Sequence, residues 1–154
     1  MKRLLLLLPL LLVACSTGSK IKQLSCTYEQ VVGDTYGDAP KAEDFIFDTL
    51  TGEAFEYSDF YEKLKSIEGK TTLDGYTHTF NSTIVNDVLK RDSSVKENNP
   101  FDLEDGPDIY KHRINLKDMT VELEYKSGIS ELVYKAVGSC EYTEPQTVEI
   151  HQDK

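Results

Sequence analysis

Long apolar runs are scarce in this sequence of 154 residues, and the main exception stands at its start. Residues 4–14 are apolar apart from Pro9, whereas a helix that crosses a bilayer needs about 20 consecutive apolar residues. Lys2 and Arg3 precede the run and small residues follow it, which is the layout of a secretory signal. The sequence therefore predicts an exported protein with a signal peptide at residues 1–14.

Tryptophan is absent, so the G-x-W signature of lipocalins is excluded. The chain also lacks a G-x-S-x-G nucleophile motif, an H-E-x-x-H zinc motif and a glycine-rich phosphate loop. We therefore predict no catalytic residue, no metal site and no cofactor, and we expect a non-enzymatic binding or structural protein.

Basic residues are fewer than acidic ones, since the chain has 17 Lys and Arg residues and 27 Asp and Glu residues. The formal net charge is −10, and removal of Lys2 and Arg3 with the signal peptide brings it to −12. Contacts with nucleic acid rest on Lys and Arg, so a nucleic-acid partner is not expected. A cationic envelope protein is a compatible partner, although solubility is the simpler explanation of the charge.

The tetrapeptide Leu12-Val13-Ala14-Cys15 resembles the lipobox of bacterial membrane lipoproteins. The resemblance implies that the peptide is cut before Cys15, that the thiol carries diacylglycerol, and that the new amine is acylated. Two or more acyl chains hold a protein stably on a membrane without spanning it. Ser16, where Asp would favour the inner membrane, implies the periplasmic side of the outer membrane. Residues 15–22 then form a short lipidated tether.

Two cysteines remain once Cys15 is lipidated, namely Cys26 and Cys140. An exported compartment is oxidising, so an even remainder predicts a disulfide. A loop of more than a hundred residues would be closed, which the chain-entropy model values at roughly 4–5 kcal/mol. Two buried free thiols are the alternative, and a metal pair is less favoured because no His or third Cys lies close in sequence to either cysteine.

Apolar and polar residues alternate along most of the chain, which predicts an antiparallel β-sheet with one solvated face. We expect a single β domain at residues 23–142, built as a meander of seven or eight strands in a barrel or a sandwich, with a flexible tail at 143–154. The first and last strands should be neighbours. A short helix is expected at residues 59–65, capped by Asp59; a turn is expected at Asn81 and Ser82, and irregular structure at 92–107. The predicted strands are residues 23–32, 44–49, 54–58, 76–80, 83–90, 110–117, 119–126 and 132–140.

His78 and His112 fall on the apolar faces of their strands and are the speculative ligand-facing residues. A small hydrolase or a metal-dependent enzyme would need their strands to be neighbours, and half-buried structural histidines are the favoured interpretation. The acidic loop at residues 102–108 and the pair Asp34 and Asp38 could gather oxygens around Ca²⁺, but neither has the ligand spacing of an EF-hand. Solvated turns are favoured for both.

The chain also resembles, at the level of architecture, the small periplasmic lipoproteins that inhibit lysozyme. Those proteins are β-barrels with a cysteine near each end, often beside tyrosine, and here Cys26, Tyr28, Cys140 and Tyr142 are arranged in that way. The S-G-x-x-Y and K-G-D stretches of that family are missing. Inhibition of lysozyme is therefore the alternative expectation to an envelope lipoprotein that binds another ligand.

Overall fold

The computed structural model describes residues 21–33, 39–58, 63–98, 106–131 and 133–143. The predicted signal peptide, Cys15, Asp34, Asp38 and most of the acidic loop and tail lie outside these ranges. The described part of the chain contains ten strands and no helix. The strands are β1 (Ile21–Gly33), β2 (Ala42–Asp48), β3 (Ala54–Ser58), β4 (Lys63–Ser66), β5 (Gly69–Leu73), β6 (Tyr76–Val85), β7 (Val88–Glu97), β8 (Asp108–Asn115), β9 (Thr120–Lys126) and β10 (Val133–Thr143).

All ten strands form a single antiparallel sheet that curls into a half-barrel, in the order β4-β3-β2-β1-β10-β9-β8-β7-β6-β5. Each strand pairs with its neighbour in sequence except that β1 pairs with β10 instead of β4 with β5. The first and last strands are therefore adjacent, as predicted. Cys26 lies opposite Cys140 in this pair, and the predicted disulfide between them is confirmed. Of the two expected alternatives, a barrel or a sandwich, the sandwich does not form, because every described strand belongs to one sheet.

The curl brings opposite walls of the sheet together across its concave face. The ring of Phe45 on β2 meets that of His112 on β8 edge-on, with centroids 5.2 Å apart. The guanidinium of Arg91 on β7 lies 4.8 Å from the centroid of Phe45. Apolar side chains recur at every second position on this face, which is why the strands bury one side. The main core consists of Leu24, Cys26, Phe45, Phe47, Leu89, Ile114, Val121 and Cys140.

The two ends of the sheet approach each other without pairing. At one level they touch, because Gly52, in the turn between β2 and β3, packs directly on the backbone of Thr83 and Ile84 in β6. The amide of Ile67, in the two-residue link between β4 and β5, donates to the carbonyl of Ala54 at 2.9 Å. Apart from the contact of Gly52 with β6, the two ends of the sheet are not joined by strand pairing, because β4 and β5 do not pair with each other among the described residues. The half-barrel is thus held together at its core, whereas its two edge strands, β4 and β5, remain unpaired. The opening between these two strands is called the seam.

The helix predicted at residues 59–65 is wrong where the structure describes it. Lys63–Ser66 forms β4, which pairs with β3 in the registers Glu56 to Lys65 and Phe55 to Ser66. A helix of two turns is marginal without tertiary support, whereas this segment gains cross-strand hydrogen bonds. Residues 59–62, including Asp59, lie outside the described residues.

The turn predicted at Asn81 and Ser82 is also wrong, because β6 runs unbroken through both residues. The chain reverses instead at Asn86 and Asp87, whose φ angles are 53° and 60°. Positive φ at both central residues is what a two-residue hairpin turn requires, and Asn and Asp tolerate it. The irregular segment predicted from residue 92 is wrong up to Glu97, because β7 pairs with β6 as far as Glu97 and with β8 as far as Val95.

Candidate functional site

A cleft of about 340 Å³ lies on the concave face where the seam between β4 and β5 leaves the sheet open. One wall comes from β3 and β4 and the other from β5 and β6. This volume is within the range of small-molecule sites, roughly 300–1,000 Å³. The cleft is lined by Glu56, Lys65, Ser66, Ile67, Glu68, Gly69, Thr71, Leu73, His78 and Phe80.

Alternate residues of β5 and β6 line this cleft because the register between the two strands places them on one face. Gly69 is opposite Phe80, Thr71 is opposite His78, and Leu73 is opposite Tyr76, so these residues share one face. Leu73 is 63% exposed and Tyr76 is 41% exposed. The same face is fully buried further round the sheet, where Leu89 and Ile114 are 0% exposed. The seam therefore leaves a part of the concave apolar face open to solvent.

Among the described residues around the cleft, carboxylates outnumber ammonium groups. Glu56 and Glu68 line it together with Lys65. A third carboxylate is held at its edge, because the hydroxyl of Ser66 donates to Oε1 of Glu53 at 2.6 Å. Glu53 and Glu68 also line a second opening of about 260 Å³ that continues along the same seam. The seam is thus acidic as well as partly apolar.

A polar chain, defined as Tyr28, Glu43, His112 and Arg91, lies behind the cleft and crosses the interior of the half-barrel. The hydroxyl of Tyr28 on β1 donates to Oε2 of Glu43 on β2. The same oxygen lies 2.9 Å from Nε2 of His112 on β8. Arg91 on β7 donates to the carbonyl of Ile46 on β2 at 3.4 Å. The polar chain therefore joins β1 and β2 to β7 and β8 across the interior. Nδ1 of His112 and Nε of Arg91 have no hydrogen-bond partner among the described residues.

The polar chain shifts the pKa values of its members. Burial raises the pKa of the Tyr28 hydroxyl, and its hydrogen bond to Glu43 raises it further. Burial also acts to raise the pKa of Glu43, but the hydrogen bonds from His112 and Tyr28 and the charge of Arg91 together lower it. Burial lowers the pKa of Arg91 to about 10, against the opposing influence of Glu43. At neutral pH, Glu43 is therefore an anion, Tyr28 a neutral donor and Arg91 a cation.

Arg91 connects the polar chain to the cleft. Its guanidinium lies 5.0 Å from the centroid of Phe80, whose ring lines the cleft. Arg91 is 8% exposed, so it supports Phe80 from the buried side of that ring. Cation–π contacts of this kind are stronger when the pair is desolvated.

Three tyrosines form a row further along the concave face, in which Tyr125 is tilted against Tyr110 and stacked on Tyr134. The ring centroids of Tyr110 and Tyr125 are 5.0 Å apart, and those of Tyr125 and Tyr134 are 4.8 Å apart. Burial raises the pKa of all three, in the case of Tyr134 to about 12. They pack against Leu123 and Ala136 and form a second core cluster.

The structure places His78 and His112 on the same face but does not bring them together. Their strands, β6 and β8, are separated by β7. His78 is level with Val95 and hence with Asp108, which is four residues from His112. That offset is about 13 Å along the strand, with about 10 Å between the strands. His78 lines the cleft, whereas His112 is 5% exposed and belongs to the polar chain.

The other predicted positions are only partly covered by the structure. Asp108 is the acidic residue of the loop at 102–108 that the structure describes, and its Oδ1 accepts from the amide of Gly128 at 2.8 Å. Among the residues that the structure describes, no group of three or more His, Cys, Asp or Glu side chains is arranged to hold a metal ion. The described ranges likewise contain no helix of the length and apolarity that a membrane span requires.

Glu43 and Arg91 were missed by the sequence analysis. The sequence does contain a pattern that indicates both residues, because Glu43 is two residues from Phe45 and Arg91 is two residues from Leu89. A charged residue in phase with buried apolar neighbours on a strand faces the interior. Such a residue needs partners there, since an unpaired buried charge is destabilising.

No protein-family model, no curated protein and no solved structure matches this chain.

Proposed function

We propose that the chain is an exported, lipid-anchored envelope protein whose half-barrel binds a small molecule in the cleft between β4 and β5. The observation that carries the binding part is the open concave face at the seam, where Leu73 remains exposed and lines the cleft together with Phe80. Clefts that combine apolar walls with a few polar groups are typical of small-molecule sites. No catalytic role is included in the proposal.

The anchor part rests on the lipobox-like Leu12-Val13-Ala14-Cys15. We propose an acylated Cys15 on the periplasmic side of the outer membrane, followed by a tether. The test is mass spectrometry of the N-terminal peptide of the protein purified from envelopes. The expected peptide starts at Cys15 and carries three acyl chains or a diacylglycerol group. An unmodified Cys15, or cleavage at another residue, contradicts the anchor.

The binding part is tested by filling the cleft. Thr71 lines the cleft, while Thr79 is one register position away on the opposite face of the same hairpin. Both are exposed, so Thr71→Trp and Thr79→Trp form a matched pair. The full chain carrying Cys15→Ser, which removes the acylation site, is screened by NMR against a library of small amphipathic compounds.

Compounds that use the cleft should shift the amide signals of β5 and β6. These shifts should disappear in Thr71→Trp and persist in Thr79→Trp. If no compound shifts these amides, or if Thr71→Trp leaves every shift intact, the cleft is not the binding site and the proposal fails.

Lysozyme inhibition is a second candidate function. It is supported by the disulfide that joins the first strand to the last, with Tyr28 and Tyr142 close by in sequence, and by the net charge of −10 opposite a basic target. The chain carrying Cys15→Ser should then block hydrolysis of cell walls by a c-type lysozyme. Full activity of lysozyme at a micromolar excess of the protein would exclude this function.

A further inference from the structure

The charges along the seam indicate which class of small molecule the cleft would take. Glu56 and Glu68 line the cleft and Glu53 lies at its edge, whereas Lys65 is the one ammonium group among the described residues that line it. The whole chain has a formal charge of −10, so the surrounding field has the same sign. A cationic group is attracted to such a site, and an anionic group is repelled.

Among the side chains that the structure describes, Arg91 and Lys70 are two other cations near the cleft. Arg91 is on the buried side of Phe80, and its charge is compensated by Glu43 in the polar chain. Lys70 is on β5 but is opposite Thr79, so it belongs to the convex face. Neither therefore reverses the acidic character of the cleft.

Apolar and aromatic groups complete the site. Ile67, Leu73 and Phe80 line the cleft and offer contacts for a hydrocarbon body, and the ring of Phe80 can also attract a cation. Phe80 already binds the Arg91 guanidinium on its buried side. The second opening shares Ile67 and Glu68 with the cleft, so the combined groove suits an elongated molecule.

We infer that the cleft between β4 and β5 binds an amphipathic organic cation, with its hydrocarbon body on Leu73 and Phe80 and its cationic group near Glu56 and Glu68. This inference rests on the proposed function, because it names the ligand class for the same cleft. The apolar body contributes most of the affinity, and the carboxylates determine the preferred sign of charge.

The test compares three probes that share one alkyl chain, namely dodecyltrimethylammonium, dodecyl maltoside and dodecyl sulfate. Each is titrated below its micelle-forming concentration into the full chain carrying Cys15→Ser, and affinity is measured by calorimetry. The ammonium probe should bind most tightly and the sulfate probe most weakly. Added salt should weaken the binding of the ammonium probe more than that of the uncharged maltoside.

Charge reversal at Glu68 locates the effect. Glu68→Lys should lower the affinity for the ammonium probe roughly three- to tenfold and raise that for the sulfate probe. Glu131→Lys is the matched control, because Glu131 is also an exposed glutamate outside the strands but lies between β9 and β10. It should leave the order of the probes and the affinity for the ammonium probe nearly unchanged.

The outcomes separate this inference from the proposed function. If all three probes bind equally and Thr71→Trp abolishes their binding, the cleft is a site but the cationic class is wrong. If Glu68→Lys does not change the preference for charge, the carboxylates do not select the ligand and the inference is overturned. If no probe binds but a library compound still shifts the amides of β5 and β6, the inference fails and the proposed cleft stands. If neither the probes nor any library compound binds there, both fail.

Discussion

Glu43 is the residue on which the polar chain depends, because it accepts from Tyr28 and His112 and faces the charge of Arg91. Its pKa is lower in the folded protein than its ordinary value of 4.5. A carboxyl group of this kind stabilises the fold above its unfolded-state pKa. That contribution is lost as the pH falls through the lowered, folded-state pKa.

We predict that the free energy of unfolding falls on acidification below pH 4.5, the ordinary value for Glu43, and that Glu43→Gln makes this fall shallower. At neutral pH, Glu43→Gln should destabilise the protein by about 1–3 kcal/mol, because it weakens charged hydrogen bonds to partly buried partners. Urea unfolding across this pH range measures both effects. Equal pH slopes for the two proteins would contradict the assignment of the acid sensitivity to Glu43.

Gly52 is required where the two ends of the sheet touch. Its φ angle is +79°, and an added Cβ would lie 2.4 Å from the amide nitrogen of Ile84. The left-handed conformation disfavours any side chain, and the backbone contact adds overpacking. We predict that Gly52→Ala destabilises the protein by about 2–4 kcal/mol.

Gly75→Ala is the control for this prediction. Gly75 has a nearly equal φ of +81°, but an added Cβ there would meet nothing within 4 Å. It should show only the conformational penalty, about 1–2 kcal/mol. Thermal or urea unfolding compares the two variants, and an equal loss in both would show that the contact of Gly52 with β6 is unimportant.

At the level of elements, the hairpin of β3 and β4 is weakly attached to the rest of the sheet. Only two register positions join β3 to β2, namely Ile46 with Phe55 and Phe47 with Ala54. By comparison, seven positions join β1 to β2. Segments with few such connections open locally with a lower free energy than the core of a sheet.

We predict that amides in β3 and β4 exchange with deuterium faster than those in β9, which is paired on both sides along its whole length. Mass spectrometry of peptides from the two regions measures the difference. Binding of a ligand in the cleft should slow exchange in β3 and β4 because Glu56 and Lys65 form one wall. Protection equal to that of β9 in the unbound protein would contradict a weakly attached hairpin.

The elements that could be predicted from the sequence are those with one buried and one solvated face. The predicted strands at 110–117 and 119–126 agree with β8 and β9 to within two residues, because apolar and polar side chains alternate regularly there. In contrast, every residue of β5 is exposed, so the strand has no alternation to detect. The unrecognised edge strands explain why seven or eight strands were expected instead of ten.

The cleft itself could not be predicted, because it depends on the curl of the sheet. The residues that line it are distributed along the chain between Glu56 on β3 and Phe80 on β6. No local sequence pattern indicates that these two strands face each other. The alternation did identify His78 and His112 as facing the interior. Their relative position required the register of β7, which lies between them.

At the level of the whole molecule, the disulfide between Cys26 and Cys140 ties the beginning of the sheet to its end. The two residues are 114 positions apart in sequence and lie opposite each other in the pair β1–β10. Both are in the main core, with Cys26 at 0% and Cys140 at 8% exposure. The bond therefore restricts the unfolded chain over most of its described length.

We predict that the double variant Cys26→Ala/Cys140→Ala is less stable than the oxidised protein by roughly 4–5 kcal/mol, because a cross-link of this span removes loop entropy from the unfolded chain. Both proteins carry Cys15→Ser, so that no other thiol contributes, and urea unfolding at neutral pH measures the difference.

Reduction of the unsubstituted pair serves as the control, since it breaks the bond while retaining the sulfur atoms in the core. It should give most of the same loss, and any excess in the double variant reports the missing core contacts. A loss of less than about 1 kcal/mol on reduction would show that the long loop contributes little and that packing of β1 against β10 holds the ends of the sheet together.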